Sequence, residues 1–388
     1  MQNVNQQLKN LQLQNNWQGI VRLLKPLCAP DKELWNDAAA VGTLGFAYSQ
    51  LQNWQRAEAM YRRNMELEPD RAQPYYNLGY IFAQQQRWQE AIQWYNEALK
   101  RYPDYLVCLY RLAYAFYAFD KPEKSKNALL RVRTLYENNT EENYRKRNRK
   151  NYIKSLFLLA RVLLIQKEYS EAYTLLREVI RLDERPYISS HFKWYQLAKA
   201  LFFLKKYDEA LSALKKAIHP RRPKAYVLDL QGRIYHTMGD YPKALESYRK
   251  ALEQRMLDYI LVDRARTYVA MGRIHRAMDD LQKALQRSEK SKHKIYLELG
   301  KIELNRERVT EAAHYFRRAI HQKLEQYKAD YAEAHYMMVF CHLKAGNKEA
   351  AQNELEYAQR LNPNLEWDAN LSNLLENEQP KELEDLPF

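Results

Sequence analysis

The chain has 388 residues but only three cysteines, Cys28, Cys108 and Cys341, far apart and in no CxxC pair. This excludes a zinc ribbon and offers no disulfide framework; Cys108, beside an apolar run, reads as a small buried hydrophobe. Glycine is scarce, with nine in the whole chain, and no Asn-Gly turn joins alternating apolar runs, so strands are not expected. No stretch approaches the 18 apolar residues a membrane helix needs, and the start, MQNVNQQLKNLQLQNN, lacks the basic-then-apolar order of a secretory leader. Cytoplasmic residence is the expectation, with a removed leader left open. The phosphate-loop, dinucleotide, nucleophile-elbow and HExxH patterns are all missing. His335, Cys341 and His342 do not have the i, i+4 spacing that aims two rings at one metal. Adjacent acids such as Asp279-Asp280 and Glu141-Glu142 do not face one another on a helix. The expectation is a non-enzymatic protein with no cofactor and no metal.

What is present is a repeat. Leu44-Gly45, Tyr48, Ala57, Tyr61 and Pro69 return 34 residues later as Leu78-Gly79, Phe82, Ala91, Tyr95 and Pro103. A period of this size predicts stacked helical hairpins. With the glycine set at position 8 of each unit, Gly45, Gly79, Ala113, Ala160, Ala198, Gly232, Ala265 and Gly300 fill that place, and Ala57, Ala91, Ala172, Ala210, Ala244, Ala277, Ala312 and Ala351 fill position 20. Small residues there let two helices cross closely. Position 17 was not used to set the register, yet it reads Trp17, Trp54, Trp88, Tyr169, Tyr207 and Tyr241.

These residues resemble the tetratricopeptide repeat family over about residues 1–365. The resemblance implies an all-α, right-handed superhelical solenoid of stacked helix-turn-helix hairpins. The units read as 1–34, 38–71, 72–105, 106–139, 153–186, 191–224, 225–257, 258–290, 293–325 and 332–365. Five segments follow: an atypical capping repeat over 1–37, repeats over 38–139, a polar and basic interruption over 140–152, repeats over 153–365, and an acidic cap and tail over 366–388. The interruption either extends the next helix or forms a loop. The family's chaperone-tail clamp places Asn at position 9 of two successive repeats; here position 9 is never Asn, so the resemblance does not extend to that role.

In this family the concave wall is lined chiefly by positions 2, 5, 9 and 12 of each first helix, one stripe at helical spacing. Position 9 reads Phe46, Tyr80, Tyr114, then Arg161, Lys199, Arg233, Arg266 and Lys301, then Phe340. The earlier part of the stripe is aromatic: Tyr76, Tyr80, Tyr110, Tyr114, Tyr117 and Phe157. Two readings stand. One is a solvated cationic face, partly chance in a chain of net charge +14. The other is a groove gripping an extended or helical protein segment of acidic character, with Arg and Lys bonding carboxylates and Tyr supplying rigid contact area. The alternative ligand is RNA or single-stranded nucleic acid, with Tyr stacking on bases and the cations following phosphates.

A second basic cluster, Arg145, Lys146, Arg147, Arg149 and Lys150, continues to Lys154. It reads as solvated surface or as a contact for acidic protein or nucleic acid. Residues 366–388 carry −6, leaving +20 on the body. That segment reads as a capping helix and frayed end, or as a groove occupant in cis. A membrane is not an expected partner, and the open ends of a solenoid allow self-association.

Overall fold

The computed structural model of the protein describes residues 2–184, 186–219, 223–364 and 371. Among these residues every regular element is an α-helix, and the chain divides into two compact units, Met1–Ala213 and Leu214–Phe388. The first unit runs α1 (Gln2–Leu13), α2 (Trp17–Leu24), α3 (Ala38–Gln50), α4 (Trp54–Leu67), α5 (Ala72–Gln84), α6 (Trp88–Arg101), α7 (Leu106–Ala118), α8 (Pro122–Asn138), α9 (Glu142–Ile165), α10 (Tyr169–Leu182) and α11 (Ser190–Phe203). The division falls inside α12 (Tyr207–Ala217). The second unit continues α13 (Ala225–Thr237), α14 (Tyr241–Gln254), α15 (Asp258–Ala270), α16 (Ile274–Arg287), α17 (Lys292–Asn305), α18 (Val309–Tyr327), α19 (Ala332–Lys344) and α20 (Lys348–Leu361).

One turn recurs between the two helices of every pair. Asn15, Gln52, Gln86, Asp120, Lys167, Lys205, Gly239, Gly272, Glu307 and Gly346 all have positive φ, between 50° and 78°. Glycine takes this left-handed conformation freely, whereas an L side chain there costs about 1 kcal/mol. The next residue then caps the second helix in several pairs: Asn16, Asn53, Asp240 and Asn347 accept hydrogen bonds from backbone N–H groups one turn on. Each such cap contributes about 1 kcal/mol. The turn is therefore specified twice, by its left-handed residue and by its cap.

The crossing of the two helices explains the choice between Gly and Ala at position 8. A Cβ placed on Gly79 would lie 2.6 Å from the Tyr95 ring, and one on Gly232 would lie 2.6 Å from the Tyr248 ring. Gly45 faces Tyr61 and Gly300 faces Phe316 in the same way. Where position 8 is Ala, as at Ala113, Ala160 and Ala265, the residue sixteen further on is Leu129, Leu176 or Leu281, and each leucine is buried. A flat ring needs the whole space above the first helix; a leucine leaves room for one methyl group. Sequence thus sets the crossing through a matched pair.

Within each unit, successive first helices touch: α3 with α5, α5 with α7, α7 with α9 and α9 with α11, and likewise α13, α15, α17 and α19 in series. Successive second helices do not pack against each other comparably. First helices therefore sit on the inner side of the curve in each unit. A continuous core runs from Ile20 to Ala115 in the first unit, and another from Leu228 to Leu371 in the second. Residues 142–152 belong to α9, a 24-residue helix, so the polar interruption extends the following helix and does not separate the two units. Apart from the buried Leu371, the acidic segment 366–388 lies outside the described residues.

Candidate partner-binding groove

The inner wall of the first unit is aromatic and open. Ala39, Gly42, Thr43 and Phe46 of α3 form, with Tyr76 of α5, part of the lining of a cleft of 390 Å³. Their spacing puts them on one helix face, and the small residues leave the floor low. Tyr80 and Tyr110 are half-buried and Tyr114 is 40% exposed, its ring edge-on to Trp88 at 6.1 Å. Tyr117 is half-buried, as is Phe157 on α9. Arg161 donates a hydrogen bond to the Tyr117 hydroxyl at 2.9 Å and lies over its ring, 4.7 Å from the centroid. Arg161 and the aromatic stripe are thus brought together. Lys199 is half-buried on α11.

A cation not picked out in the stripe sits inside it. Arg111 lies 5.4 Å from the Tyr80 centroid and 5.9 Å from that of Tyr110. Burial raises the Tyr76 hydroxyl above its ordinary pKa, and the neighbouring Arg111 charge offsets part of that. Lys154 is held below the usual lysine value by burial and by the like charges of Lys150 and Arg111. Among the described residues, Arg111 and Arg161 have no carboxylate within 4 Å. The wall combines tyrosine faces with uncompensated positive charge.

The second unit has a different wall. Asp263 lies 3.9 Å from Arg233 and 2.9 Å from Arg266; Glu298 lies 2.9 Å from Arg266 and 3.6 Å from Lys301. Asp263 and Glu298 are largely buried, so solvent screens these contacts poorly. Glu298 is held below its ordinary pKa: burial works against this, but Arg266 and Lys301 outweigh it. Asp229, also on the inner face of α13, is buried, and burial together with the Asp263 charge pushes its carboxyl up to about 8. Arg233, Arg266 and Lys301, expected from the sequence to line the groove, thus have carboxylates of this chain beside them. Carboxylates on the same helix or the next one already engage them. Phe340, which continues the position-9 series, is 4% exposed and belongs to the core.

The secondary basic patch divides in a similar way. Arg145 donates to the Asn139 carbonyl at 2.6 Å and the Glu137 carbonyl at 3.1 Å, closing the end of α8. Arg149 donates to the Leu182 carbonyl at 2.9 Å, at the end of α10. Both satisfy carbonyls that a helix end leaves without partners. Arg147 turns back onto the Asn143 carbonyl at 3.3 Å, with Glu141 at 4.0 Å. Lys146 and Lys150 are exposed. Much of this cluster holds α9 against its neighbours.

Elsewhere, His335 is held between Glu354 at 2.6 Å and Asp330 at 3.0 Å, and Tyr357 donates to Asp330 at 2.8 Å. Burial opposes protonation of His335, but the two carboxylates outweigh it and raise its pKa. The three cysteines are buried, and burial pushes their thiols up, that of Cys28 to about 11 and that of Cys341 to about 12. No described helix is long and apolar enough to cross a membrane.

Paired helices with small-residue crossings, repeated turns and an inner face of first helices define a helical-repeat solenoid protein. Family models for the tetratricopeptide repeat match residues 43–105 and 262–334, 107–139, and 224–292, together more than half of the chain. The chain belongs to the tetratricopeptide repeat family, whose members generally serve as protein-interaction scaffolds. A model described as anaphase-promoting complex, cyclosome, subunit 3 matches residues 133–217. No curated protein matches the chain. Among solved structures, PilF of Pseudomonas aeruginosa is 18% identical, with a TM-score of 0.46, covering 56% of this chain and 91% of that one. A tetratricopeptide repeat protein from Parabacteroides merdae is 14% identical, with a TM-score of 0.46, covering 72% and 100%. The APC/C Cut9–Hcn1 hetero-tetramer gives 12% identity and a TM-score of 0.46, covering 96% and 95%. Likenesses at this level define no shared partner.

Proposed function

We propose that the protein is a non-catalytic scaffold that holds an extended or helical, acidic segment of a protein partner and so supports assembly of a multiprotein complex. The contact lies on the inner wall of the first unit. The observation that carries this reading is the combination of Tyr80, Tyr110, Tyr114 and Tyr117 with Arg111 and Arg161, cations that no carboxylate of the described chain neutralises. Desolvated guanidinium groups bond carboxylates strongly and in a planar, directed way. Tyrosine adds area at small entropic cost. Lys199 lies on the first helix that follows Arg161 and extends the same wall.

The test is photo-crosslinking in cells of the source, with a benzophenone side chain at Tyr114 on the inner wall and, as control, at Lys250 on α14. Adducts at Tyr114 that are absent at Lys250, resist nuclease and vanish with Arg161→Glu support the scaffold reading. Adducts at Tyr114 that disappear with nuclease transfer the groove to nucleic acid. Equal labelling at both positions removes the groove from the account.

A further inference from the structure

Among the described residues the first unit buries three side-chain polar atoms that have no partner, the Gln166 carbonyl oxygen on its own and two that belong to one cluster. The Nε of Arg111 is shielded from solvent and makes no hydrogen bond. The hydroxyl of Tyr95 makes none either, although Tyr95 is 0% exposed. Tyr95 and Arg111 lie within electrostatic reach of each other, and the Tyr76 and Tyr95 rings are 5.9 Å apart. Buried donors are almost always satisfied, and buried charges are almost always paired. Here a guanidinium among tyrosines has neither a counter-ion nor a full set of acceptors, so the cluster lacks an anion with several oxygens.

The donors suit one kind of anion better than another. Arg111 and Lys154 bring two positive charges close enough to disturb each other. The Tyr95 hydroxyl and Arg111 Nε–H are both unspent, and the Tyr76 hydroxyl lies beside the guanidinium. A carboxylate has one charge and two oxygens. A phosphate monoester carries close to two charges near neutral pH and three terminal oxygens. A phosphodiester has one charge and two such oxygens. Charge and donor number both favour the monoester.

We propose that the Arg111 cluster is a subsite for a phosphate monoester carried by a side chain of the partner protein, so that binding is selected by phosphorylation. This rests on the groove reading above and adds the chemistry of its deepest contact. In complex, the phosphate meets Arg111 and Tyr95 while the acidic flank of the segment follows Arg161.

The experiment titrates the full chain with phenyl phosphate and O-phosphoserine, against acetate and dimethyl phosphate at equal ionic strength, by calorimetry and ³¹P line width. The expected result is that both monoesters bind at least about tenfold more tightly than acetate or dimethyl phosphate, a difference of about 1.4 kcal/mol. Arg111→Gln abolishes that preference. Tyr95→Phe weakens monoester binding several-fold without lowering the melting temperature of the free protein, since the hydroxyl it removes has no partner there. If Arg111→Gln loses helicity, Tyr95→Phe decides. Equal binding of acetate overturns the subsite, as does equal binding of dimethyl phosphate, which points to a nucleic-acid backbone. Monoester preference that survives in a folded Arg111→Gln protein, or that is undiminished in Tyr95→Phe, overturns it too. If Arg161-dependent crosslinking persists while the monoester shows no preference, only the phosphate assignment fails; if both are lost, the groove reading fails with it.

Discussion

The two units carry the same repeat and a cation at the same position, yet their inner walls are chemically opposite. The difference lies at position 6 of the first helices. In the first unit α7 has Arg111 there; in the second, α15 has Asp263 and α17 has Glu298. Those carboxylates take up Arg233, Arg266 and Lys301, whereas Arg111 adds to the charge that Arg161 presents. A run of cations at one repeat position therefore does not measure the charge a groove offers. The side chains at position 6 of the same first helix and of the next one decide it.

The largest expected effect breaks the comparison on the binding side. Arg161→Glu reverses a charge that has no compensating partner and should reduce binding of an acidic segment by about a hundredfold or more, in the range found for desolvated charge contacts. Isothermal titration with a labelled oligoglutamate measures this. The same reversal at Lys301 should change affinity less than about threefold, since Glu298 already neutralises that side chain.

Next comes the crossing, where the units agree. Gly232→Ala drives a methyl into the Tyr248 ring and should cost about 1–3 kcal/mol in chemical denaturation. Pairing it with Tyr248→Leu recreates the Ala–Leu combination of Ala265 and Leu281 and should recover most of that loss. Additive losses would show that the match between these positions is accidental.

Stability then separates the walls in the other direction. Arg266→Gln leaves Asp263 and Glu298 with fewer partners and should cost on the order of 1 kcal/mol, given that the guanidinium is half-exposed. Arg161→Gln should cost less, because a hydrogen bond and a ring contact with the neutral Tyr117 are lost and no carboxylate is left behind. A larger loss at Arg161 would contradict the view that its charge is held in reserve for a partner.

The smallest effects concern pH in the second unit. Asp229 has a folded pKa raised to about 8, so its contribution to stability is full below the ordinary carboxyl value and falls as pH rises through about 8. His335 also has a raised pKa, so what it contributes is full below about pH 6.5 and declines as pH passes its folded value. Amide exchange in α13 and α19 should therefore quicken between neutral and mildly alkaline pH. Asp229→Asn should flatten the α13 response, and His335→Gln the α19 response.

Much of the architecture was legible in the sequence because it depends on local size and spacing. Gly79 and Ala244 mark crossings, and Gly239, Gly272 and Gly346 mark turns that need positive φ. The same turn at Gln86, Lys167 and Glu307 was less visible, since tertiary packing holds those residues in a conformation they do not favour. Whether residues 140–152 were loop or helix was open because a polar helix face and a polar loop share a composition; the bonds of Arg145 and Arg149 to neighbouring helix ends account for the helix. The groove was read in part. Tyr80, Tyr114 and Arg161 follow from position, but Arg111 lies off the stripe by one residue. The pairing of Asp263 with Arg266 and Glu298 with Lys301 was present as i, i+3 spacing. Arg233 with Asp263 and Arg266 with Glu298 join different helices, contacts that only the stacking of the pairs creates.

The central claim is that the first unit's wall, not the second's, recognises an acidic segment. The most direct measurement is the affinity of a fluorescent oligoglutamate, at about 0.15 M salt to screen long-range charge, for three proteins: wild type, Arg111→Gln with Arg161→Gln, and Arg266→Gln with Lys301→Gln. The account predicts that neutralising the first pair weakens binding at least about tenfold, while neutralising the second leaves it close to wild type. Equal losses from both pairs, or a larger loss from the second, would contradict it.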